Sequence, residues 1–202
     1  MAVRTSKKTV TMAKATPKVR FTATLLRPKA EANGSTVTGD WTFLTLPKQA
    51  SAKLHTRSMV SIEGTLNGAS FKATLEPDGN GGHWLKVNRK LREAARAEVG
   101  EEVTLEITPF ATAQEPEPKV PADVRKALAE ASAKAREVWS NITPAARRDF
   151  IHWIVSGKKA ETRALRIDKA CDMLAKGKRR PCCFDRSGMF DKSLSCPVAD
   201  DN

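Results

Sequence analysis

The side chains with the most chemical potential in this chain are its cysteines and histidines. A zinc site could use Cys171, Cys182, Cys183 and Cys196 together with His152, since thiolates and imidazoles are the usual zinc ligands. The spacing does not favour such a site, because adjacent cysteines cannot form the usual two-ligand knuckle and no Cys-x2-Cys pair occurs. We therefore expect no bound metal and no cofactor.

A redox role is a second possibility, confined to the vicinal pair Cys182 and Cys183. The basic run Lys178–Arg180 would favour the reactive thiolate form of these side chains. The simpler alternative is an ordinary packed segment. Cys171 lies on the apolar stripe of a predicted helix, where a small buried thiol is common.

The histidines give no catalytic signature. His55, His83 and His152 lie in separate regions, and none has a nucleophile and an orienting group close to it in the sequence. We expect His83 to be structural. Trp84 projects opposite to Leu85 on a predicted strand, so it is either an exposed aromatic platform for a ligand or is covered by a partner domain. The sequence thus favours a protein that is not an enzyme.

One arginine lies among the apolar residues of a helix predicted over residues 143–156. Thr143 and Pro144 indicate the start of this helix, and Gly157 indicates its end. At about 100° per residue, Arg147 projects into the middle of the apolar arc. Its methylenes could lie on the apolar surface with the guanidinium in water. Alternatively, the guanidinium is desolvated and requires a carboxylate.

A second helix, predicted from Ala160 to Ala175, offers that carboxylate. Glu161 and Asp168 lie beside its apolar stripe. We expect Arg147 to pair with one of these two residues across the helix pair. The two helices and the predicted strands supply the candidate binding residues, which are His83, Trp84, Arg147, Trp153, Glu161, Arg163 and Arg166.

The composition indicates packed cores and a strongly basic surface. The chain of 202 residues is 40% hydrophobic and has a net charge of +12. No apolar run reaches the ~18 residues typical of a membrane-spanning helix. The charge favours acidic partners such as an acidic protein or a nucleic acid, although solubility alone would also explain it. The first residues lack the apolar core of a secretory signal, so we expect a cytoplasmic protein.

Residues 19–110 show the alternation of a β-domain. The loop Asn67-Gly68 predicts a hairpin that pairs Gly64 with Phe71. The glycine-rich stretch at 78–82 joins two strand-like runs and does not open a helix, which favours a hairpin turn over a phosphate-binding loop. Six strands, with one short helix over 88–97, predict a small barrel.

Helices follow the barrel in the predicted fold. The stretch 121–139 repeats apolar residues at helical spacing, so we expect a three-helix bundle together with the two helices after it. The fold class is therefore α+β. The predicted segments are a disordered basic arm (1–18), a β-barrel domain (19–110), a proline-rich linker (111–120), a helical domain (121–184) and a tail (185–202).

Two sets of motifs carry a resemblance to known proteins. The helical set comprises Arg147-Arg-Asp-Phe-Ile, Glu161-Thr-Arg163, Arg166-Ile and Gly177-Lys-Arg-Arg-Pro. The strand set comprises Trp41-Thr-Phe-Leu-Thr-Leu-Pro47, Gly64-Thr-Leu-Asn-Gly68 and Gly81-Gly-His-Trp-Leu-Lys-Val-Asn88. The helical part resembles the bacteriocin-protection, YdeI/OmpD-associated family of bacterial proteins, and the strand part resembles the domain of unknown function that often precedes it.

This resemblance has implications for fold and role. It implies a double-split β-barrel, akin in topology to the barrels of AbrB-like regulators. It also implies resistance to bacteriocins or cationic antimicrobial peptides, and association with an outer-membrane porin.

Three functional hypotheses follow from the residues and the resemblance together. The first is a non-enzymatic, macromolecule-binding accessory in antimicrobial-peptide or envelope stress resistance. An alternative is a nucleic-acid-binding regulator with an AbrB-like barrel, whose affinity would fall steeply with salt. The other is a small-molecule binder or enzyme that uses a cleft between barrel and bundle. The residues expected to line that cleft are His83, Trp84, Arg147 and Glu161.

Overall fold

A computed structural model describes residues 18–29, 40–111, 114–182, 184–189 and 195–200. Within these ranges the first domain contains the strands β1 (Val19–Thr24), β2 (Trp41–Thr45), β3 (Val60–Leu66), β4 (Ala69–Pro77), β5 (His83–Asn88) and β6 (Glu102–Pro109). It also contains the short helices α1 (Lys48–Ser51) and α2 (Arg89–Ala94). The helices that follow are α3 (Ala122–Glu130), α4 (Ala133–Asn141), α5 (Pro144–Val155) and α6 (Ala160–Ala175).

The strands form one antiparallel sheet in the order β1-β6-β3-β4-β5-β2. The sheet curls until its edges touch, where Leu26 and Phe43 exchange backbone hydrogen bonds of 2.7 and 2.9 Å. The curled sheet encloses an apolar core that includes Leu25, Leu44, Ile62, Leu75, Leu85 and Leu105. The predicted α+β fold, with a curled six-stranded sheet before a helical region, is confirmed.

The β3–β4 hairpin has the register that its loop predicts. Asn67 and Gly68 have φ angles of 46° and 87°, as a two-residue loop of type I′ requires. Gly64 lies opposite Phe71, as predicted. The loop chemistry and the hydrophobic alternation therefore specify the same pairing.

Aromatic side chains cover the outer side of β2 and β5. Phe43 and Trp84 are only 1% and 6% exposed, and their rings meet edge to face at 6.2 Å. Trp41 lies 6.5 Å from both rings, and the ammonium group of Lys86 lies 4.3 Å from the centre of the Trp41 ring. This burial excludes the exposed-platform alternative for Trp84.

A partly buried carboxyl group lies beside this aromatic cluster. Glu76 of β4 lies opposite Trp84 in the sheet. Burial raises the pKa of the Glu76 carboxyl to about 7, and the positive charge of Lys86 opposes that rise. The carboxylate form therefore costs free energy in the folded state near neutral pH.

The C-terminal segment returns to the barrel. The backbone of Lys29 donates a hydrogen bond of 2.8 Å to the carbonyl of Val198, and Asp200 donates one of 2.8 Å to Arg27. The sequence predicted only a tail here. In the structure residues 198–200 extend the sheet edge beyond β1.

The stretch predicted as one helix over 121–139 is two helices, α3 and α4. The helix is interrupted at Ala131 and Ser132, whose backbones are both extended. The hydroxyl of Ser132 accepts a hydrogen bond of 3.2 Å from the backbone amide of Ala135. Serine favours this capping position because it satisfies a free amide group at the helix start. The apolar spacing continues across the break, so Val124, Leu128, Ala135 and Val138 all reach one core.

The remaining helices follow their predicted signals. Thr143 caps α5 by accepting a hydrogen bond of 3.2 Å from Ala146, with Pro144 as the first helical residue. Among the described residues, no helix is long and apolar enough to cross a membrane. In the described part of the chain the bundle thus consists of four helices packed on a core that includes Phe150, Ile154 and Leu174.

Replacing Gly64 with alanine is expected to destabilise the barrel. A Cβ atom at this position would lie 2.1 Å from the backbone oxygen of Glu106 on β6, so the two strands would have to move apart. We expect Gly64→Ala to lower the free energy of unfolding by at least about 2 kcal/mol in urea denaturation. The exposed neighbour Ser70→Ala is the control and should change it by less than about 0.5 kcal/mol. Equal effects of the two substitutions would contradict this packing.

Replacing Glu76 with glutamine is expected to stabilise the protein at neutral and alkaline pH but not at pH ~4.5. The pKa of Glu76 in the folded state lies above its ordinary value of 4.5, so the stability of the natural protein falls as pH rises from 4.5 to about 7. At pH ~8, Glu76→Gln should therefore be more stable by about 2–3 kcal/mol. At pH ~4.5 the two proteins should unfold at the same urea concentration. A difference that does not change with pH would show that titration of Glu76 is not its source.

Candidate functional site

A cleft of about 240 Å³ lies between the barrel and the bundle. Its apolar walls come from both domains and comprise Met59, Val60, Phe110 and Ala145. Its titratable lining comprises His55, Glu115, Arg148, Arg180 and Arg186. A cleft at a domain junction, with apolar walls and a few convergent charged groups, is the usual form of a ligand site.

Arg148 of α5 ties the bundle to the barrel across this cleft. One of its terminal nitrogens, Nη1, donates hydrogen bonds of 2.5 Å to both Ser61 Oγ and Glu115 Oε1. The other, Nη2, donates one of 3.0 Å to the carbonyl of Met59. The side chains of Arg148 and Glu115 are 15% and 11% exposed. Because the pair is largely removed from water, it holds β3, the linker and α5 in one arrangement.

Asp149, the next residue of α5, is buried behind the cleft. It is 1% exposed, and its Oδ2 atom pairs with Arg180 and, at 3.1 Å, with Arg186. Burial raises the pKa of the Asp149 carboxyl, while the two guanidinium groups oppose that rise. Its Oδ1 atom is buried without a hydrogen-bond partner among the described residues.

The charges around the cleft do not balance. Three guanidinium groups, of Arg148, Arg180 and Arg186, meet two carboxylates, of Glu115 and Asp149, which leaves one positive charge. The side chains of Arg180 and Arg186 are 41% and 43% exposed, so part of each faces the open cleft. The arrangement is therefore suited to hold an anionic group.

The sequence predicted a cleft at this junction but assigned other residues to it. His83, Trp84, Arg147 and Glu161 are not among its lining residues. His83 lies just behind the wall, where its Nε2 atom lies 3.1 Å from the carbonyl of Ser58, and burial lowers the pKa of the imidazole. Whether any of the four binds a ligand stays a prediction.

Arg147 has a carboxylate partner, but the predicted identity of that partner is wrong. Its Nη1 atom donates a hydrogen bond of 2.6 Å to Glu117 of the linker, not to Glu161 or Asp168. Its Nε and Nη2 atoms donate to the carbonyls of Trp139 and Ser140 at 2.9 and 2.7 Å. These carbonyls belong to the end of α4, where backbone acceptors lack partners within the helix.

The other candidate arginines also hold helices together. Arg163 of α6 donates two hydrogen bonds, of 2.6 and 3.0 Å, to the carboxylate of Asp123 on α3. Arg166 donates to the Trp153 carbonyl and the Ser156 hydroxyl, both at 2.6 Å, at the end of α5. The guanidinium of Arg166 also lies 5.5 Å from the centre of the Trp153 ring. These contacts hold α3, α5 and α6 together, and a ligand-binding role for either arginine stays a prediction.

The cysteines are scattered in the described part of the chain. Cys171 on α6 is half-buried, and burial raises the pKa of its thiol. Burial also raises the pKa of Cys196, to about 11. Cys182 is exposed, and Cys183 lies outside the described residues, so the proposed redox pair stays a prediction. Within the described ranges, no three histidine, cysteine or acidic side chains gather closely enough to hold a metal ion.

Sequence reasoning missed Glu115, Arg180 and Arg186 as residues of one site. Arg148 lies 87 residues from Ser61 and 33 from Glu115, so no local spacing connects them. One feature of the sequence did point to part of this site. Arg148 and Asp149 lie on the polar side of α5, and that side faces the barrel and the segment after α6.

Replacing Glu115 with glutamine is expected to lower stability strongly. The substitution leaves the guanidinium of Arg148 largely buried without its counter-charge, so the free energy of unfolding should fall by about 2–3 kcal/mol. Adding Arg148→Met should restore part of this loss, because no unpaired charge remains. The control is Glu137→Gln, which breaks an ion pair whose two side chains are 57% and 58% exposed, and should cost less than about 0.5 kcal/mol. If Glu115→Gln and Glu137→Gln lowered the free energy of unfolding equally in urea denaturation, this would contradict a buried ion pair between Arg148 and Glu115.

Comparison with known families agrees with this two-part structure. Residues 21–107 match the family described as a domain of unknown function (DUF1905). Residues 117–177 match the family described as bacteriocin-protection, YdeI or OmpD-associated. Among curated proteins no match was found. The helical part of this chain therefore matches the bacteriocin-protection, YdeI or OmpD-associated family, and it follows a part that matches the domain of unknown function.

Proposed function

We propose that this protein acts by binding, and that the cleft between barrel and bundle holds an anionic group of its ligand. One observation carries the proposal. Two half-exposed guanidinium groups, of Arg180 and Arg186, converge on a single oxygen of the buried Asp149 and line the same cleft as Arg148. One carboxylate neutralises only one of these two guanidinium charges, so the unmatched positive charge favours an anion.

The shape of the cleft favours a small group such as a phosphate or a carboxylate. Its volume of about 240 Å³ is below the ~300–1,000 Å³ of pockets that enclose a drug-sized ligand. The apolar walls reduce competition from water and so strengthen the attraction between guanidinium and anion. The remainder of the ligand would then lie outside the cleft, which leaves room for a larger acidic molecule.

We assign this binding to protection against bacteriocins or envelope stress. The description of the family supports that role. A cationic cleft is not suited to capture a cationic peptide directly, because like charges repel. The protein would therefore act on an anionic ligand or partner and not on the antimicrobial peptide itself.

Anion binding is testable by isothermal titration calorimetry with pyrophosphate and with citrate. Arg180→Gln and Arg186→Gln should each weaken binding about tenfold or more, since each removes charge-assisted hydrogen bonds. The control is Arg20→Gln on the barrel, where the native side chain is 73% exposed and binding should be unchanged. The same titration with single-stranded DNA of about 20 nucleotides tests the nucleic-acid alternative. Equal weakening by all three substitutions would refute the cleft as the site.

The protective role needs a separate measurement. In a strain that lacks this protein, survival under bacteriocin exposure should be restored by the natural chain and by Arg20→Gln. It should not be restored by Arg180→Gln or Arg186→Gln. Full restoration by the cleft variants, with their anion binding lost, would separate protection from the cleft and contradict the proposal.

A further inference from the structure

A second concave surface lies on the bundle, away from the residues of the cleft. It is formed by α3, α4 and the end of the linker, has a volume of about 500 Å³, and shares no lining residue with the cleft. We refer to it as the α3–α4 groove. Its apolar floor is formed by Val120, Leu128 and Trp139. Its cationic rim is formed by Lys119, Arg125 and Arg136.

We infer that the α3–α4 groove docks an acidic amphipathic segment of another protein. The floor supplies anchors for apolar side chains, and the rim supplies charges for carboxylates. The inference is independent of anion binding in the cleft, because the two surfaces share no lining residue.

The floor is held rigid by the bundle. The Trp139 ring lies 6.3 Å from the ring of Phe150, which is fully buried in the core. The guanidinium of Arg147 lies 6.0 Å from the centre of the Trp139 ring. The side chain of Trp139 is nevertheless only half-buried. A fixed tryptophan that still presents one side to solvent is a typical anchor of a protein interface.

The rim charges have no acidic partner within the described residues. Arg136 donates hydrogen bonds to the carbonyls of Ala131 and, at 3.3 Å, of Ala129, and Arg125 donates one of 3.5 Å to the carbonyl of Val120. These contacts satisfy donors but leave the positive charge uncompensated. By contrast, Arg147 faces a carboxylate of its own chain.

The unmatched charge determines which occupant fits. The N-terminal residues 1–17 contain arginine and lysine and no acidic residue, so they would be repelled by the rim. A second copy of the chain is disfavoured by its net charge of +12. A membrane surface fits poorly because the groove is concave, whereas a helix or extended segment can place apolar side chains inside it. An acidic amphipathic segment of a different protein satisfies both the floor and the rim.

The test uses a labelled synthetic peptide of about 15 residues with leucines on one helical face and glutamates on the other. Fluorescence anisotropy with the full chain should show saturable binding. Arg125→Glu should weaken it about tenfold or more, because it reverses one rim charge. Lys126→Glu is the matched control, since the adjacent residue has the same charge but does not line the groove, and it should weaken binding less than about twofold.

Several outcomes would overturn the inference. Equal weakening by Arg125→Glu and Lys126→Glu, or equal binding of a scrambled peptide with the same composition, would show attraction by net charge alone. Anionic phospholipid vesicles that bind the natural chain and lose binding in Arg125→Glu would assign the groove to a membrane. Concentration-dependent dimerisation that Arg125→Glu abolishes, measured by sedimentation, would assign it to a second copy.

A separate variant distinguishes peptide binding at the groove from anion binding in the cleft. Arg186→Gln should leave peptide binding unchanged, because Arg186 does not line the groove. Loss of peptide binding in that variant would count against a groove that acts independently. Conversely, Arg125→Glu should still bind anions in the cleft. That result would show that a loss of peptide binding at the groove does not contradict anion binding in the cleft.

Discussion

The arrangement of this molecule depends on two adjacent charged residues of α5 that are both largely withdrawn from water. Arg148 reaches into the barrel and Asp149 lies behind the cleft, and each requires an opposite charge from a distant part of the chain. Glu115 of the linker satisfies the first, and Arg180 and Arg186 after α6 satisfy the second. An uncompensated buried charge would be strongly destabilising, so these partners hold the linker and the later segment against the junction. The cleft is the space left between them.

The positive charge of the chain has a structural use as well as the proposed functional one. Each of the first three bundle helices ends on carbonyls that an arginine from elsewhere contacts. Arg136 does so for α3, Arg147 and Arg179 for α4, and Arg166 for α5. The C-terminal end of a helix carries partial negative charge and unpaired acceptors, so a guanidinium there satisfies both. Net charge alone therefore overstates the positive charge that is available to an acidic partner, because many of these cations already have partners within the chain.

Turn and capping signals in the sequence correctly predicted those features of the fold that depend on residues close together in the chain. The Asn67-Gly68 loop specified the hairpin register, and Thr143 with Pro144 specified where α5 begins. The break at Ser132 was missed because the apolar spacing continues through it, and only the serine cap marks the new helix. The residues that form the cleft could not be predicted from such local signals, because they come from distant parts of the chain. A need for a carboxylate near Arg147 could be inferred from its apolar surroundings, but its partner Glu117 comes from a linker whose path the sequence does not encode locally.

The most direct test of this account is a crystal structure of the full chain grown with tungstate, a heavy oxyanion whose position anomalous scattering reveals. If the unmatched charge at the junction is a binding site, tungsten will lie in the cleft between the guanidinium groups of Arg148, Arg180 and Arg186. Tungsten found only elsewhere on the basic surface, with those three arginines still held by Glu115 and Asp149 and the cleft empty, would contradict the account.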